Sequence, residues 1–203
     1  MTNWTEDNLK LYSTQFDNLN RLVGKRIDEI VFYLDPTDID FSEQPNKYGK
    51  SLLNGFDMRV DNIHFSIGNR FTDRCYGLTI NEGKTTDFEF IEDDKKPVTY
   101  DIKLIGQTII SVDIYWMNIP FEGSVGYYPQ EIEIQTEDGY LLISSIEVTN
   151  GEVNSEFTDE ILIIENQDTA KQLKLGGFGL NENGREKFET ISILIQSDEK
   201  NYL

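Results

Sequence analysis

The chain has 203 residues, of which 38% are hydrophobic, and its formal net charge at pH 7 is −19. Twelve Phe and ten Tyr residues indicate a folded protein, because disordered acidic chains are poor in aromatic residues. A strongly acidic surface repels nucleic-acid phosphates and anionic membranes, so we expect neither as a partner. The charge is compatible with a basic protein partner or with a role in solubility alone.

Cys75 is the only cysteine, which excludes an intramolecular disulfide and indicates a reducing compartment. Residues 1–10 are polar and lack the apolar region of a secretory signal. No stretch of the sequence reaches the ~18 apolar residues of a membrane-spanning helix. We therefore expect a cytoplasmic protein.

The first predicted element is a helix over residues 5–22, where apolar residues recur at spacings of three and four. Thr5 is a suitable N-cap, and Gly24 ends the pattern. We expect the apolar face of this helix to pack on a sheet. A strand over residues 27–34 follows, and then a long polar loop over residues 35–50.

A tight hairpin is predicted around Asp61-Asn62, because residues 56–60 and 63–67 each alternate apolar with polar side chains. Less regular patterns predict short strands near residues 76–81, 87–91 and 98–103.

The second half of the chain has the clearest strand patterns. A strand over residues 108–116 is expected to stop before Pro120, and Asp138-Gly139 predicts a hairpin between residues 131–136 and 140–148. Residues 161–164 are continuously apolar, which indicates a strand covered on both faces. A last strand is expected over residues 190–195. The glycine-rich segment 174–180 is interpreted as turns, with close approach to a partner as the alternative.

An internal repeat is indicated by residues 22–34, which align without gaps with residues 104–116 and match at Leu, Gly, Ile and Tyr. The alternative is that any two strands led by glycine look alike. The predicted fold is mainly β, in the α+β class, with the N-terminal helix packed on antiparallel sheets. We expect a single domain over residues 1–203, and the repeat hypothesis divides it into related halves, 22–103 and 104–203.

No catalytic signature is present. The only histidine, His64, is predicted to point to solvent from a strand, and Cys75 is interpreted as a bystander despite the nearby Arg70 and Arg74. The acidic residues of the loop 35–43 and of the turn 92–94 lack the spacing of a Ca²⁺ loop. We expect no catalytic residue, cofactor or metal, and carboxylate-dependent hydrolysis by the loop 35–43 stays an alternative.

Segment 104–170 contains thirteen Asp and Glu residues and no Lys or Arg. Because Ile132 and Ile134 are assigned to the core, Glu131 and Glu133 are expected on the outer face of the sheet. We expect residues of neighbouring strands to extend this acidic face, and aromatic residues to anchor a partner. The predicted partner-binding residues are Asp113, Glu131, Glu133, Glu137, Glu147, Trp116 and Tyr128.

The text from Gly106 to Glu147 resembles small bacterial cytoplasmic proteins, several of which are immunity proteins that neutralise secreted toxins. The motifs that carry this resemblance are Tyr115-Trp116, Tyr128-Pro129-Gln130, Ile132-Glu-Ile134 and Glu137-Asp-Gly-Tyr-Leu-Leu-Ile-Ser-Ser145. Together, the acidic segment and the resemblance lead to the hypothesis of a non-enzymatic immunity protein or inhibitor that binds a basic partner, such as a nuclease toxin. It assigns no site residues and leaves the oligomeric state open. The alternatives are a hydrolase and a scaffold or assembly module.

Overall fold

The computed structural model describes residues 17–34, 48–52, 55–72, 75–88, 96–99, 102–121, 124–149, 152–154, 158, 160–180 and 185–187. The predictions for the helix over residues 5–16, for the acidic loop 35–43, for the turn 92–94 and for the strand 190–195 lie outside these residues. The fold is mainly β, in the α+β class, as predicted.

Most of the described residues belong to antiparallel strands. In chain order the strands are β1 (Ile27–Leu34), β2 (Lys50–Leu52), β3 (Phe56–Val60), β4 (Ile63–Thr72), β5 (Cys75–Glu82), β6 (Lys96–Thr99), β7 (Ile109–Phe121), β8 (Ser124–Thr136), β9 (Tyr140–Ser144), β10 (Glu147–Thr149), β11 (Glu152–Asn154), β12 (Ile161–Ile164) and β13 (Arg185–Lys187). The first sheet has the order β5-β4-β3-β1-β6, and the second has the order β13-β7-β8-β9-β12-β2. Strands β10 and β11 pair as a separate ribbon.

The helical elements are short. Helix α1 covers residues 17–22 of the described chain, and helix α2 covers Gln167–Leu173. Two 3-10 turns occupy Thr85–Phe88 and Gly176–Gly179. We call the second of these, Gly176–Gly179, the glycine turn.

The inner faces of the two sheets share one hydrophobic core. Its large, fully buried side chains include Phe32 and Phe56 of the first sheet and Trp116 of the second. Helix α1 contributes Leu19 and Leu22 to this core, which confirms the predicted packing of the N-terminal helix on a sheet. The two sheets therefore form a single packed body.

A second, smaller hydrophobic cluster lies on the outer face of the second sheet. It contains Leu162 and Ile164 of β12, together with Ala170 of α2. Ile161 and Ile163 of the same strand belong to the main core. The prediction that residues 161–164 are covered on both faces is thus confirmed.

Both predicted hairpins are present. Asp61 and Asn62 have φ angles of 47° and 66°, the left-handed conformation that a two-residue hairpin turn of type I′ requires. The second hairpin joins Thr136 to Tyr140 through residues 137–139, and the Thr136 N–H donates to the Gly139 carbonyl over 3.0 Å.

Several strand boundaries differ from the predictions. Strand β7 continues through Pro120 to Phe121, and the described pairing of β13 covers Tyr115–Met117, so Pro120 lies beyond that pairing. Strand β9 ends at Ser144, and Glu147 belongs to the separate ribbon β10–β11. Asp87 lies in a 3-10 turn and not in a strand.

The two halves of the chain share one strand order. Strands β6-β1-β3-β4-β5 of the first half follow the same order as strands β13-β7-β8-β9-β12 of the second. The pairings of β1 with β3 and of β7 with β8 have a register shift at matching positions, between Ile27 and Glu29 and between Ile109 and Ser111. This agreement is what the repeat hypothesis leads one to expect, although duplication itself stays a prediction.

The starts of β1 and β7 meet in a nearly symmetric arrangement. Gly24 and Gly106 both have positive φ angles, of 80° and 88°. The Gly24 N–H donates to Ile109 O over 2.9 Å, and the Gly106 N–H donates to the matching Ile27 O over 2.7 Å. The residues that the sequence alignment pairs, Gly24 with Gly106 and Ile27 with Ile109, therefore make equivalent backbone hydrogen bonds.

Candidate functional site

Glu131 and Glu133 do not lie on an exposed acidic face. Their side chains point away from Ile132 and Ile134, as alternation requires, yet the residues are 0% and 4% exposed. Helix α2 and the glycine turn cover this face of the second sheet. The expectation that both glutamates face solvent is therefore wrong, because a later segment of the chain folds over them.

The glycine turn binds both carboxylates through its backbone. The Gly176 N–H donates to Glu131 Oε2 over 2.8 Å, and the Gly177 N–H donates to Glu133 Oε2 over 3.1 Å. Ser144 Oγ donates to Glu131 Oε1 over 3.1 Å. Hydrogen bonds of this kind offset the cost of removing a carboxylate from water.

Glu133 has two further donors on its own and the neighbouring strand. Gln135 Nε2 donates to Glu133 Oε1 over 2.6 Å, and the Tyr115 hydroxyl donates to Glu133 Oε2 over 3.3 Å. Burial, and then the Glu133 carboxylate, raise the pKa of Tyr115 above its usual value. The pKa of the nearby Tyr140 is raised for the same reasons. We call Tyr115, Glu131, Glu133, Tyr140 and the glycine turn the buried carboxylate cluster.

The first half contains a smaller version of this cluster at equivalent positions. Asp57, which is 4% exposed, lies opposite Val31, as Glu133 lies opposite Asp113. The hydroxyl of Tyr33, the counterpart of Tyr115, donates to Asp57 Oδ2 over 2.6 Å.

Two further donors to Asp57 come from the 3-10 turn Thr85–Phe88, which follows β5. The Thr85 N–H donates to Asp57 Oδ1 over 2.6 Å, and the Thr85 hydroxyl donates to the same oxygen. Each half thus fixes a 3-10 turn to its sheet through a buried carboxylate and a tyrosine hydroxyl. This recurrence indicates a structural role for both carboxylates.

The other predicted partner-binding residues do not form one surface. Trp116 is 0% exposed and Tyr128 is 7% exposed, so neither can serve as an exposed anchor. Asp113 is half-buried and pairs with Lys187 over 2.6 Å. Glu147 lies on the ribbon and accepts from the Thr149 hydroxyl over 2.9 Å. Of the seven, Glu137 is the one residue that is exposed.

Glu137 lies on the rim of a cleft with a volume of about 600 Å³. The cleft lies between the β8–β9 turn and the start of α2, and most of its lining side chains are polar. It is lined by Lys103, Leu104, Gln135, Thr136, Glu137, Asp138, Gly139, Tyr140, Glu165, Asn166 and Gln167. Sequence reasoning missed this cleft because its two walls are far apart in the chain.

Among the remaining sequence candidates, the structure describes the surroundings of His64. His64 is half-buried on β4, opposite Arg59 of β3. No three His, Cys, Asp or Glu side chains in the described part of the chain come together as a metal site could require. Within the same residues, no helix is both long and apolar enough to cross a membrane.

Comparison with protein-family models, with curated proteins and with solved structures finds no match for this chain.

Proposed function

We propose that this chain is a non-enzymatic acidic binding protein, an immunity protein or inhibitor that neutralises a basic protein such as a nuclease toxin domain. The resemblance of residues 106–147 to immunity-type proteins and the charge of −19 support this proposal. The lone Cys75 is compatible with a cytoplasmic site of action.

The distribution of ion pairs is the observation that carries the proposal. Three described cations before residue 104 pair with acids of the same part of the chain, in Arg21–Glu82, Lys25–Asp61 and Arg59–Asp28, whereas Lys50 pairs with Glu165 of the second half. In the second half, Glu137, Asp138 and Asp168 are exposed and make no ion pair with any described residue. The second half therefore has negative charge available for a partner.

These exposed acids replace the acidic face inferred from the sequence. Glu137 and Asp138 lie on the turn after β8, and Asp168 lies in the first turn of α2. Because they are exposed, they attract a basic protein at long range and speed its association. That attraction weakens when salt screens the charges.

The proposal is tested by purifying the tagged protein from its native host at low salt and identifying what high salt releases. We expect one basic protein, and we expect the purified chain to inhibit the activity of that protein. The variant Glu137→Gln/Asp138→Asn/Asp168→Asn should co-purify with less of this basic protein than the wild-type chain does. A chain that purifies alone, or that leaves the activity of the released protein unchanged, would refute the proposal.

A further inference from the structure

The two halves differ at one hairpin turn. The β3–β4 turn of the first half is paired with a cation, and the equivalent β8–β9 turn of the second half is not. In the first half, Lys25 Nζ pairs with Asp61 Oδ2 over 3.3 Å, and Asp61 lies on the β3–β4 turn. Lys25 follows Gly24, and its counterpart after Gly106 is Gln107. Gln107 Oε1 accepts from the Asp138 N–H over 3.2 Å, which holds the β8–β9 turn but brings no positive charge to it.

A second cation, Arg21 of helix α1, also has a counterpart that makes different contacts. Arg21 pairs with Glu82. Extending the alignment of residues 22–34 with 104–116 by one residue makes Lys103 the counterpart of Arg21, and the strand registers make Glu165 the counterpart of Glu82. Glu165 instead pairs with Lys50 of β2 over 2.5 Å. Lys103 makes no ion pair with the residues that the structure describes. Glu165, the acid that corresponds to Glu82, is already neutralised by Lys50.

These two differences leave a negatively charged cleft in the second half, at a place where the first half has the ion pairs Lys25–Asp61 and Arg21–Glu82. Its lining contains the carboxylates of Glu137, Asp138 and Glu165 against the single ammonium group of Lys103. Lys50 neutralises Glu165, so the two turn carboxylates are the ones without a cation among the described residues. The volume of about 600 Å³ leaves ample room for one long side chain.

We propose that this cleft accepts an Arg or Lys side chain of a basic protein partner, which supplies the charge that Lys25 supplies in the first half. The proposal rests on the proposed function and assigns the contact to Glu137 and Asp138. Amide side chains of Gln135, Asn166 and Gln167 line the same cleft, so a guanidinium group would meet a polar wall.

The test measures binding of an acetylated, amidated hexa-arginine peptide by isothermal titration calorimetry at low salt. Exposed ion pairs contribute about 0.2–1 kcal/mol each, so Glu137→Gln/Asp138→Asn should weaken binding about fivefold. The matched control Glu147→Gln/Glu152→Gln removes two charges from the ribbon β10–β11 and should change the affinity less than twofold. Lys103→Gln removes the repulsive charge and should strengthen binding about twofold.

A fourth variant separates a specific site from diffuse attraction. Gln107→Lys places a cation where the first half has Lys25, so it should weaken peptide binding about as much as the loss of one carboxylate, about twofold. Circular dichroism and a thermal melt establish whether each variant is folded. If Gln107→Lys does not fold, the carboxylate variants decide the outcome.

The possible failures can be told apart. Equal losses for the cleft variant and the ribbon variant would overturn the cleft assignment, while the proposed function would stand with its acids elsewhere. No binding of hexa-arginine to the wild-type protein, together with no basic partner released by salt, would refute both proposals.

Discussion

Gly176 shows how one residue allows the buried carboxylate cluster to form. Its φ angle is +57°, and a Cβ atom there would overlap Glu133 Oε2. Glycine is therefore favoured at this position both by the backbone conformation and by the close approach of the turn to Glu133.

Gly176→Ala should lower the free energy of unfolding by about 2–5 kcal/mol, because left-handed strain and steric overlap act together. Gly24→Ala is the matched control, since Gly24 has a φ angle of +80° but a Cβ atom at that position would have no neighbour within 4 Å. The control should cost only about 1–2 kcal/mol. Urea unfolding measures both variants, and equal losses would show that the overlap with Glu133 is relieved at no cost.

The two tyrosine hydroxyls allow a direct comparison of the two halves. The Tyr33 hydroxyl lies 2.6 Å from Asp57 Oδ2, whereas the Tyr115 hydroxyl lies 3.3 Å from Glu133 Oε2. Hydrogen bonds to charged groups contribute about 1.5–3 kcal/mol, and long ones contribute less. Tyr33→Phe should therefore destabilise the protein more than Tyr115→Phe in urea unfolding, and the reverse order would contradict the assignment of the shorter bond to the first half.

At the level of elements, helix α2 and the glycine turn decide which acids reach solvent. Asn166 is the N-cap of α2, and its Oδ1 accepts from the Asp168 N–H over 2.9 Å. The helix then places Ala170 against the second hydrophobic cluster and leads to the glycine turn. The N-cap therefore stabilises helix α2, which leads to the glycine turn over Glu131 and Glu133.

Asn166→Ala should cost about 1 kcal/mol of stability, because the first turn of α2 loses its side-chain cap. Asn166→Asp keeps an acceptor at the same position and should retain most of the stability. Amide hydrogen exchange in residues 167–179 provides the measurement, with faster exchange expected in the alanine variant alone. Unchanged exchange would show that packing of Ala170 holds the helix without the cap.

Alternation along β8 predicts the orientation of Glu131 and Glu133 relative to Ile132 and Ile134 correctly. It cannot predict their burial, because the cover comes from Gly176 and Gly177, far away in the sequence. The N-cap signal at Asn166 is present in the sequence, but a helix as short as Gln167–Leu173 gives little periodicity. Local patterns thus predict strands and hairpins, whereas the site depends on contacts between distant segments.

At the level of the whole molecule, the two sheets share one core, so local changes act on a single folded body. Ile30 and Phe32 of the first sheet belong to the same cluster as Ile132 and Ile134 of the second. We therefore treat the stabilities of the two carboxylate sites as parts of one unfolding equilibrium. Effects of pH at both sites then add in one transition.

Tyr33, Tyr115 and Tyr140 all have raised pKa values in the folded protein, chiefly because they are buried. An unfolded tyrosine ionises near pH ~10. Below that pH the neutral form is present in both states, and the contribution of each tyrosine to stability is complete. As the pH rises above it, the unfolded chain loses protons that the folded protein retains, so stability falls.

Above pH ~10 the free energy of unfolding should fall by up to about 1.4 kcal/mol per pH unit for each of these tyrosines. Urea unfolding between pH 8 and pH 11 measures the slope, and absorbance at 295 nm follows tyrosine ionisation. Tyr33→Phe removes one of the three groups and should reduce the slope by about a third, since each site contributes one proton to the same transition. A wild-type slope of zero, or an unchanged slope in the variant, would mean that these hydroxyls ionise in the folded protein at the same pH as in the unfolded chain.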